Sequence, residues 1–277
     1  IITEEGSVRV DFVGGTLDLF PLNLIIPHVV TINGALSLKA KVKLEKNDQN
    51  FIEIYSEDYN KGYIYQECEF SKENLFYTNF FQEMTFICQI LDLFKIHKGL
   101  KITLSSGSPP GAGLGGSSTM GVVLYKALCR LNNIKEDHYK SVRRVQATEA
   151  RILCRGVAGY QDYFPALIGG VLAIHPALES VEIEQLYSLE MVSYLEKHSR
   201  LIYSGLTRNS GINNWQVYKN YFEHDEATQI GLHQLAQTSF QAYQAMKTKD
   251  FSLFISKVIE EGKIRKNLFS GIVTPEI

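Results

Sequence analysis

The 277-residue sequence predicts an α+β fold in two lobes, on three observations. Segments with strand-like alternation are mixed with segments of helical period, without the strict repetition that builds a parallel α/β sheet. The character of the chain changes after about His175, where helical patterns take over. A strand, a glycine-rich loop and a helix follow one another directly between residues 101 and 131, as a ligand-binding unit would. The expected division is therefore residues 1–175 and 176–277.

Taken in order, Ser7 to Val13 alternates polar and apolar side chains and reads as a half-buried strand, followed by a Gly14–Gly15 turn. Leu36 to Leu44 and Phe51 to Tyr55 read as two strands paired across the polar turn Lys46 to Asn50. A long helix is expected from about Asn74 to His97, with Phe80, Met84, Ile87, Leu91 and Phe94 on one face. Lys101 to Ser105 is another strand. Met120, Val123, Leu124, Ala127, Leu128 and Leu131 share one face of the next helix. Asp137 to Cys154 is a further helix, with Val142, Val145, Ile152 and Leu153 inward. Beyond His175, a strand is expected at Ser199 to Ser204 and helices near 212–223, 225–247 and 250–267. No internal repeat or low-complexity linker interrupts the chain.

Composition narrows the function. Hydrophobic residues make up 45% and charged residues 21%, ordinary for a globular chain with a sizeable core. With 28 basic and 30 acidic residues the net charge is −2, which argues against a nucleic-acid footprint or a polybasic membrane anchor. No apolar run approaches the roughly 20 residues of a spanning helix; Leu22 to Ile32 is interrupted by Asn23, Pro27 and His28. Cys68, Cys88, Cys129 and Cys154 are scattered, with no metal-ligand spacing, and suggest reduced thiols in the cytoplasm.

The segment Ser108-Pro-Pro-Gly-Ala-Gly-Leu-Gly-Gly-Ser-Ser118 carries the chemistry. Glycines at 111, 113, 115 and 116 let backbone N–H groups approach an anion, and the helix that follows adds partial positive charge. Ser117 or Ser118 is expected to cap that helix. No Lys-Ser/Thr follows the glycines, so this is not a Walker A loop, and it does not fit a dinucleotide fingerprint. Charge on a di- or triphosphate would have to be neutralised by a metal and by basic residues elsewhere. The run from Pro109 to Ser118 resembles the second signature of the GHMP kinases, the family of galactokinase, homoserine kinase, mevalonate kinase and phosphomevalonate kinase.

Glu149 lies on the buried face of the 137–154 helix, where an ionised carboxylate needs a partner. The partner is either Arg143, Arg144 or Arg151 in an internal salt bridge, or a hard cation. The resemblance implies the second: a helix glutamate and a loop serine bind Mg²⁺, here Glu149 and Ser117, with Ser118 as the substitute. The loop residues Pro110, Gly111, Ala112, Gly113, Leu114, Gly115, Gly116, Ser117 and Ser118 would hold the ATP phosphates.

In Gly159-Tyr-Gln-Asp162, the aspartate either caps the short helix after it or, as the resemblance implies, serves as the catalytic residue that orients the acceptor hydroxyl. Arg9-Val-Asp-Phe-Val-Gly-Gly-Thr-Leu-Asp18 is similar to the family's amino-terminal motif. Arg9 would keep Asp162 ionised and stabilise the transferred phosphoryl group; Gly15, Thr16 and Asp18 would meet the acceptor. Galactokinases carry Glu-His where this chain has Gly15-Thr16. The form here is closer to kinases of heptose phosphates and fucose-like sugars, with Leu17 as an extra residue. Arg208 and Ser210, in Gly205-Leu-Thr-Arg-Asn-Ser-Gly, either line the acceptor side or form a helix-entry turn.

The resemblance thus implies an ATP- and Mg²⁺-dependent kinase of a sugar or sugar phosphate, with a mixed-sheet amino-terminal ATP-binding lobe and a ferredoxin-like carboxyl-terminal lobe. A mevalonate-type kinase or decarboxylase of the same fold and a non-catalytic nucleotide and sugar sensor are the alternatives. The partner is a small molecule, with no nucleic acid and no membrane, and a homodimer stays open. The family's third signature, a glycine-rich loop that closes over the nucleotide, is not found; Phe269 to Ile277 resembles the stretch before it, so the carboxyl-terminal domain is expected to be incomplete.

Overall fold

The structure is a computed structural model that describes residues 1–109, 111–153, 159–202, 205, 214–269 and 272. Its elements begin with β1 (Ile2–Val13), α1 (Leu22–Ile25), β2 (Thr31–Lys46), β3 (Phe51–Ser56), β4 (Lys61–Gln66), α2 (Lys72–Phe76), α3 (Thr85–Leu93) and β5 (Leu100–Ser105). They continue with α4 (Gly116–Leu131), α5 (His138–Leu153), α6 (Phe164–Ile168), β6 (Val171–Pro176), β7 (Val181–Gln185) and the helices α7 (Leu189–His198), α8 (Asn214–Phe222), α9 (Glu226–Lys247) and α10 (Phe251–Leu268). The α+β class with a mixed sheet is as expected.

The long strand β2 organises a seven-stranded sheet of order β4-β3-β5-β2-β6-β7. One edge of β2 pairs antiparallel with β1, from Ile2↔Leu44 to Val13↔Ile32. Its other edge takes β5 at residues 41–46 and β6 at residues 31–34. The sheet continues past residue 175 through β7, and among the described residues the carboxyl segment otherwise contributes helices.

Two of the three hydrophobic cores among the described residues follow from this layout. At one end of β2, Val42 and Leu44 pack with Val123, Leu124 and Leu128 of α4 and with α3 and α5. At the other end, Val13, Ile32 and Ala173 pack with Ala242 and Ala245 of α9 and Phe254 of α10. Each fully buried Val, Leu or Phe side chain contributes about 1.5–3 kcal/mol by leaving water. Asp225 caps α9 by accepting from Thr228 N (2.8 Å), and Asp250 caps α10 by accepting from Leu253 N (2.9 Å).

Four expectations are corrected. β2 and β3 are not paired; β5 lies between them, parallel to β3 and antiparallel to β2. Period-two patterns locate strands without saying which neighbour each one takes. The long helix at 74–97 is broken into α2, a 3₁₀ turn at Gln82–Met84 and α3. Phe81 breaks it by turning into the core against Tyr65 and Phe70, with ring centroids 4.9 and 5.2 Å away. Packing there outweighs helical period. Residues 199–202 form no strand, and Leu201 and Ile202 are exposed, with no neighbouring strand among the described residues. Residues 203–204 lie outside the described residues. Finally, neither serine caps α4. The cap is Gly115, in the left-handed conformation at φ 70°, and it makes no side-chain cap hydrogen bond.

Candidate active site

A cleft of about 930 Å³ opens where β1, the loop before α4, the 159–162 segment and α10 converge. Its wall is built from the edge of β1 that faces away from β2. Arg9 N donates to Leu114 O (3.2 Å), and Arg9 Nη1 donates to Gly113 O (2.7 Å), so one residue anchors the glycine-rich loop by backbone and side chain together. A side chain at residue 115 would press against the Arg9 guanidinium at 3.3 Å, and the backbone there is left-handed; glycine satisfies both demands. At the loop's entry, Asp58 accepts hydrogen bonds from Ser106 N (2.8 Å) and Ser106 Oγ (2.8 Å). Because Gly115 starts α4 without a side-chain cap, the first-turn N–H groups are left for a ligand, which suits an anion. Gly111, Ala112, Gly113, Leu114, Gly115, Gly116, Ser117 and Ser118 all line the cleft; Pro110 lies outside the described residues.

Arg9 is only 6% exposed. It pairs with Asp162 and, at 2.8 Å, with Asp11, which is two residues along β1 and so on the same strand face. Burial works against the guanidinium charge, but Asp162 and Asp11 outweigh it and raise the Arg9 pKa. The peptide before Asp162 is fixed at both ends. Gln161 N donates to Asp18 (2.9 Å), and Gln161 O accepts from Asn33 Nδ2 (2.9 Å). This holds Asp162 toward Arg9. Asp162 does not cap α6, whose N-cap is Tyr163.

Asp18 is 2% exposed, at the floor of the cleft. Burial pushes its carboxyl up to about 7, with Asp162 and Asp11 adding repulsion and the Gln161 amide opposing. Gly159 covers it so closely that a Cβ there would lie 2.0 Å from a carboxylate oxygen. Asp18 therefore braces the segment that carries Asp162, a job that sequence reasoning did not assign. Gly15 and Thr16 also border the cleft, with Arg265 of α10 bonded to the Gly15 carbonyl and to Thr16 Oγ1. Arg208 and Ser210 lie outside the described residues.

Glu149 is buried and takes hydroxyl partners rather than an arginine. Ser118 Oγ donates to it (2.8 Å), as does Tyr163 OH. Arg143 turns to Gln146 and Arg144 to the Tyr125 hydroxyl. Burial raises the Glu149 pKa, the Tyr163, Ser118 and Ser117 hydroxyls act against that rise, and Asp162 adds to it. A buried carboxylate with hydroxyl oxygens beside an anion-binding loop is a donor set that fits a hard cation such as Mg²⁺. Ser118 is the serine bonded to Glu149; Ser117 sits next to it in the first turn of α4. Among the described residues no group of three or more His, Cys, Asp or Glu side chains could hold a metal alone, so such a cation would also need phosphate oxygens.

Asp11, Tyr163, Glu261 and Arg265 were not foreseen. Asp11 and Tyr163 stand inside motifs already singled out, and the alternation of β1 could have flagged Asp11. Glu261 and Arg265 read in sequence as an ordinary helix-surface pair, and only the packing of α10 brings them to the cleft.

Residues 79–170 match the family described as GHMP kinases N terminal domain. The bifunctional fucokinase/GDP-fucose pyrophosphorylase of Arabidopsis thaliana is 25% identical over 258 residues, covering 87% of this chain; the chain spans about a quarter (24%) of that relative. Among solved structures, a D-glycero-D-manno-heptose 1-phosphate kinase from Bacteriodes thetaiotaomicron aligns with TM-score 0.74 and 21% identity over 96% of this chain and 80% of that one. The Methanococcus jannaschii mevalonate kinase aligns with TM-score 0.69 and 17% identity over 100% and 81%. The Lactococcus lactis galactokinase, solved with galactose, aligns with TM-score 0.70 and 14% identity over 99% and 77%. Among the described residues no helix is long and apolar enough to cross a membrane.

Proposed function

We propose that this chain, whose residues 79–170 match the GHMP kinases N terminal domain and whose fold resembles that of a heptose 1-phosphate kinase, transfers the γ-phosphoryl group of ATP to a hydroxyl of a sugar or sugar phosphate. The observation that carries this reading is the position of Arg9, which holds Asp162 with its side chain while fastening the phosphate loop through Gly113 and Leu114. One residue thereby sets the distance between the group that handles the acceptor and the loop that holds the donor. Residues 1–175 act as the ATP-binding domain in this reading, and 176–277 as the carboxyl-terminal domain.

The chemistry is direct in-line transfer. The Gly111–Ser118 amides and the start of α4 hold the phosphate oxygens. Asp162 accepts the proton of the acceptor hydroxyl at its carboxylate and aims that oxygen at phosphorus. Arg9, shielded from water, faces the negative charge that spreads over the transferred group. Glu149 and Ser117, with Ser118, would hold Mg²⁺, which when bound supplies neutralisation of phosphate charge. Gly15, Thr16 and Asp18 shape the acceptor side.

A coupled ATP assay over neutral sugars, sugar phosphates, mevalonate and homoserine tests the proposal. Phosphorylation of a sugar or sugar phosphate is the expected result. Mevalonate as the preferred acceptor would overturn the sugar reading, and nucleotide binding without turnover on any acceptor would overturn the kinase reading in favour of a sensor.

A further inference from the structure

On the reading of this cleft as a phosphotransfer site, we infer that Glu261 and Arg265 of α10 are positioning residues that hold the acceptor-side turn Gly14–Thr16 in a conformation it would not keep alone. The turn is unfavourable in isolation. Thr16 is β-branched yet sits at φ 71°, a region such residues rarely adopt unless the surroundings over-determine it. Gly14 is also left-handed, at φ 80°, and so close to β2's entry that a Cβ would lie 2.0 Å from Val30 O.

What over-determines the turn is one helix turn of α10. Glu261, 2% exposed, accepts from Gly14 N with both carboxylate oxygens (3.0 and 2.9 Å). Arg265 Nε donates to Glu261 (2.7 Å), and its Nη atoms reach the Gly15 carbonyl and Thr16 Oγ1. Three consecutive residues are thus held by an i,i+4 pair lying some 250 positions away in sequence. Burial opposes the charge on Glu261, and Arg265 with the Gly14 amide counteracts it, so the pair is interdependent. Both side chains line the cleft, as Asp18 does.

The test compares Arg265→Met, Arg265→Lys and Glu261→Gln with the parent protein, by amide hydrogen exchange and by kinetics on the acceptor found in the screen. Arg265→Met and Glu261→Gln should speed exchange at Gly14–Thr16 while α9 and β5 keep their protection. They should raise the acceptor KM about tenfold or more, the scale of a small misplacement of a binding group, and leave the KM for ATP within about twofold. Arg265→Lys should recover part of the loss. Unchanged exchange at the turn overturns the inference, and so does exchange that speeds equally throughout α9 and α10, which would mark a general structural role. If the parent protein phosphorylates no acceptor, the phosphotransfer reading falls, and the exchange data alone still decide whether this pair holds the turn.

Discussion

Arg9 makes contact with three separate stretches of chain, and the electrostatics of the cleft follow from that. It is bonded to the loop at Gly113 and Leu114, to Asp11 on its own strand and to Asp162 across the cleft. Replacing Asp162 with Asn should lower turnover by about 100-fold or more, the scale of losing a general base, while a nucleotide-binding titration stays near the parent value. Near-normal turnover would remove Asp162 from the mechanism. Asp18 permits a pH test. Its carboxyl is raised from an ordinary 3.8 to about 7, so the folded state binds the proton more tightly than the unfolded chain. Ionising Asp18 therefore costs stability as pH rises from about 4 to about 7, and the cost is constant above that. The melting-temperature difference between Asp18→Asn and the parent should shift in favour of Asn across that window and then level off. A difference independent of pH would mean that Asp18 is ionised throughout.

At the scale of elements, α4 and α5 meet at a hydroxyl–carboxylate contact where an apolar contact would ordinarily lie. Ser118 stands in the first turn of α4, Glu149 in the last turns of α5, and Tyr163 just before α6. Burial already disfavours the charge on Glu149, so Glu149→Gln should not lower the melting temperature without ligand, and it should raise the Mg²⁺ concentration needed for half-maximal activity. A sharp loss of stability with an unchanged Mg²⁺ requirement would make the contact purely structural. The start of α4 shows why the loop was legible and its cap was not. Glycine spacing announces a backbone that approaches an anion, whereas the cap at Gly115 stands against Arg9, a residue too far along the chain for local spacing to reveal.

At the scale of the molecule, the cleft depends on α10 being seated on the sheet. Phe254, fully buried, meets Phe12 of β1 edge-on with ring centroids 5.6 Å apart. Phe254→Ala should destabilise the protein by about 3–5 kcal/mol in urea unfolding, the usual cost of emptying a buried phenylalanine site. A loss below about 1 kcal/mol would mean that α10 is held elsewhere, chiefly by its contacts with α9.

Sequence alone picked out segments that meet at the cleft: the glycine-rich loop, the strand with Arg9, the helix with Glu149 on its inner face and the Gln-Asp turn. It also determined the α+β class and the positions of α9 and α10. These are local properties, set by residue type, spacing and period within a dozen or so residues. Tertiary structure decided what brings distant residues together: β5 inserted between β2 and β3, Phe81 pulling the chain out of its helix, Ser118 bonded to Glu149, Asp18 turned inward to brace Gln161, and Glu261 with Arg265 closing on Gly14–Thr16. Each of these depends on burial and on partners far along the chain, and a polar residue's task is set by which partners remain once water has been excluded.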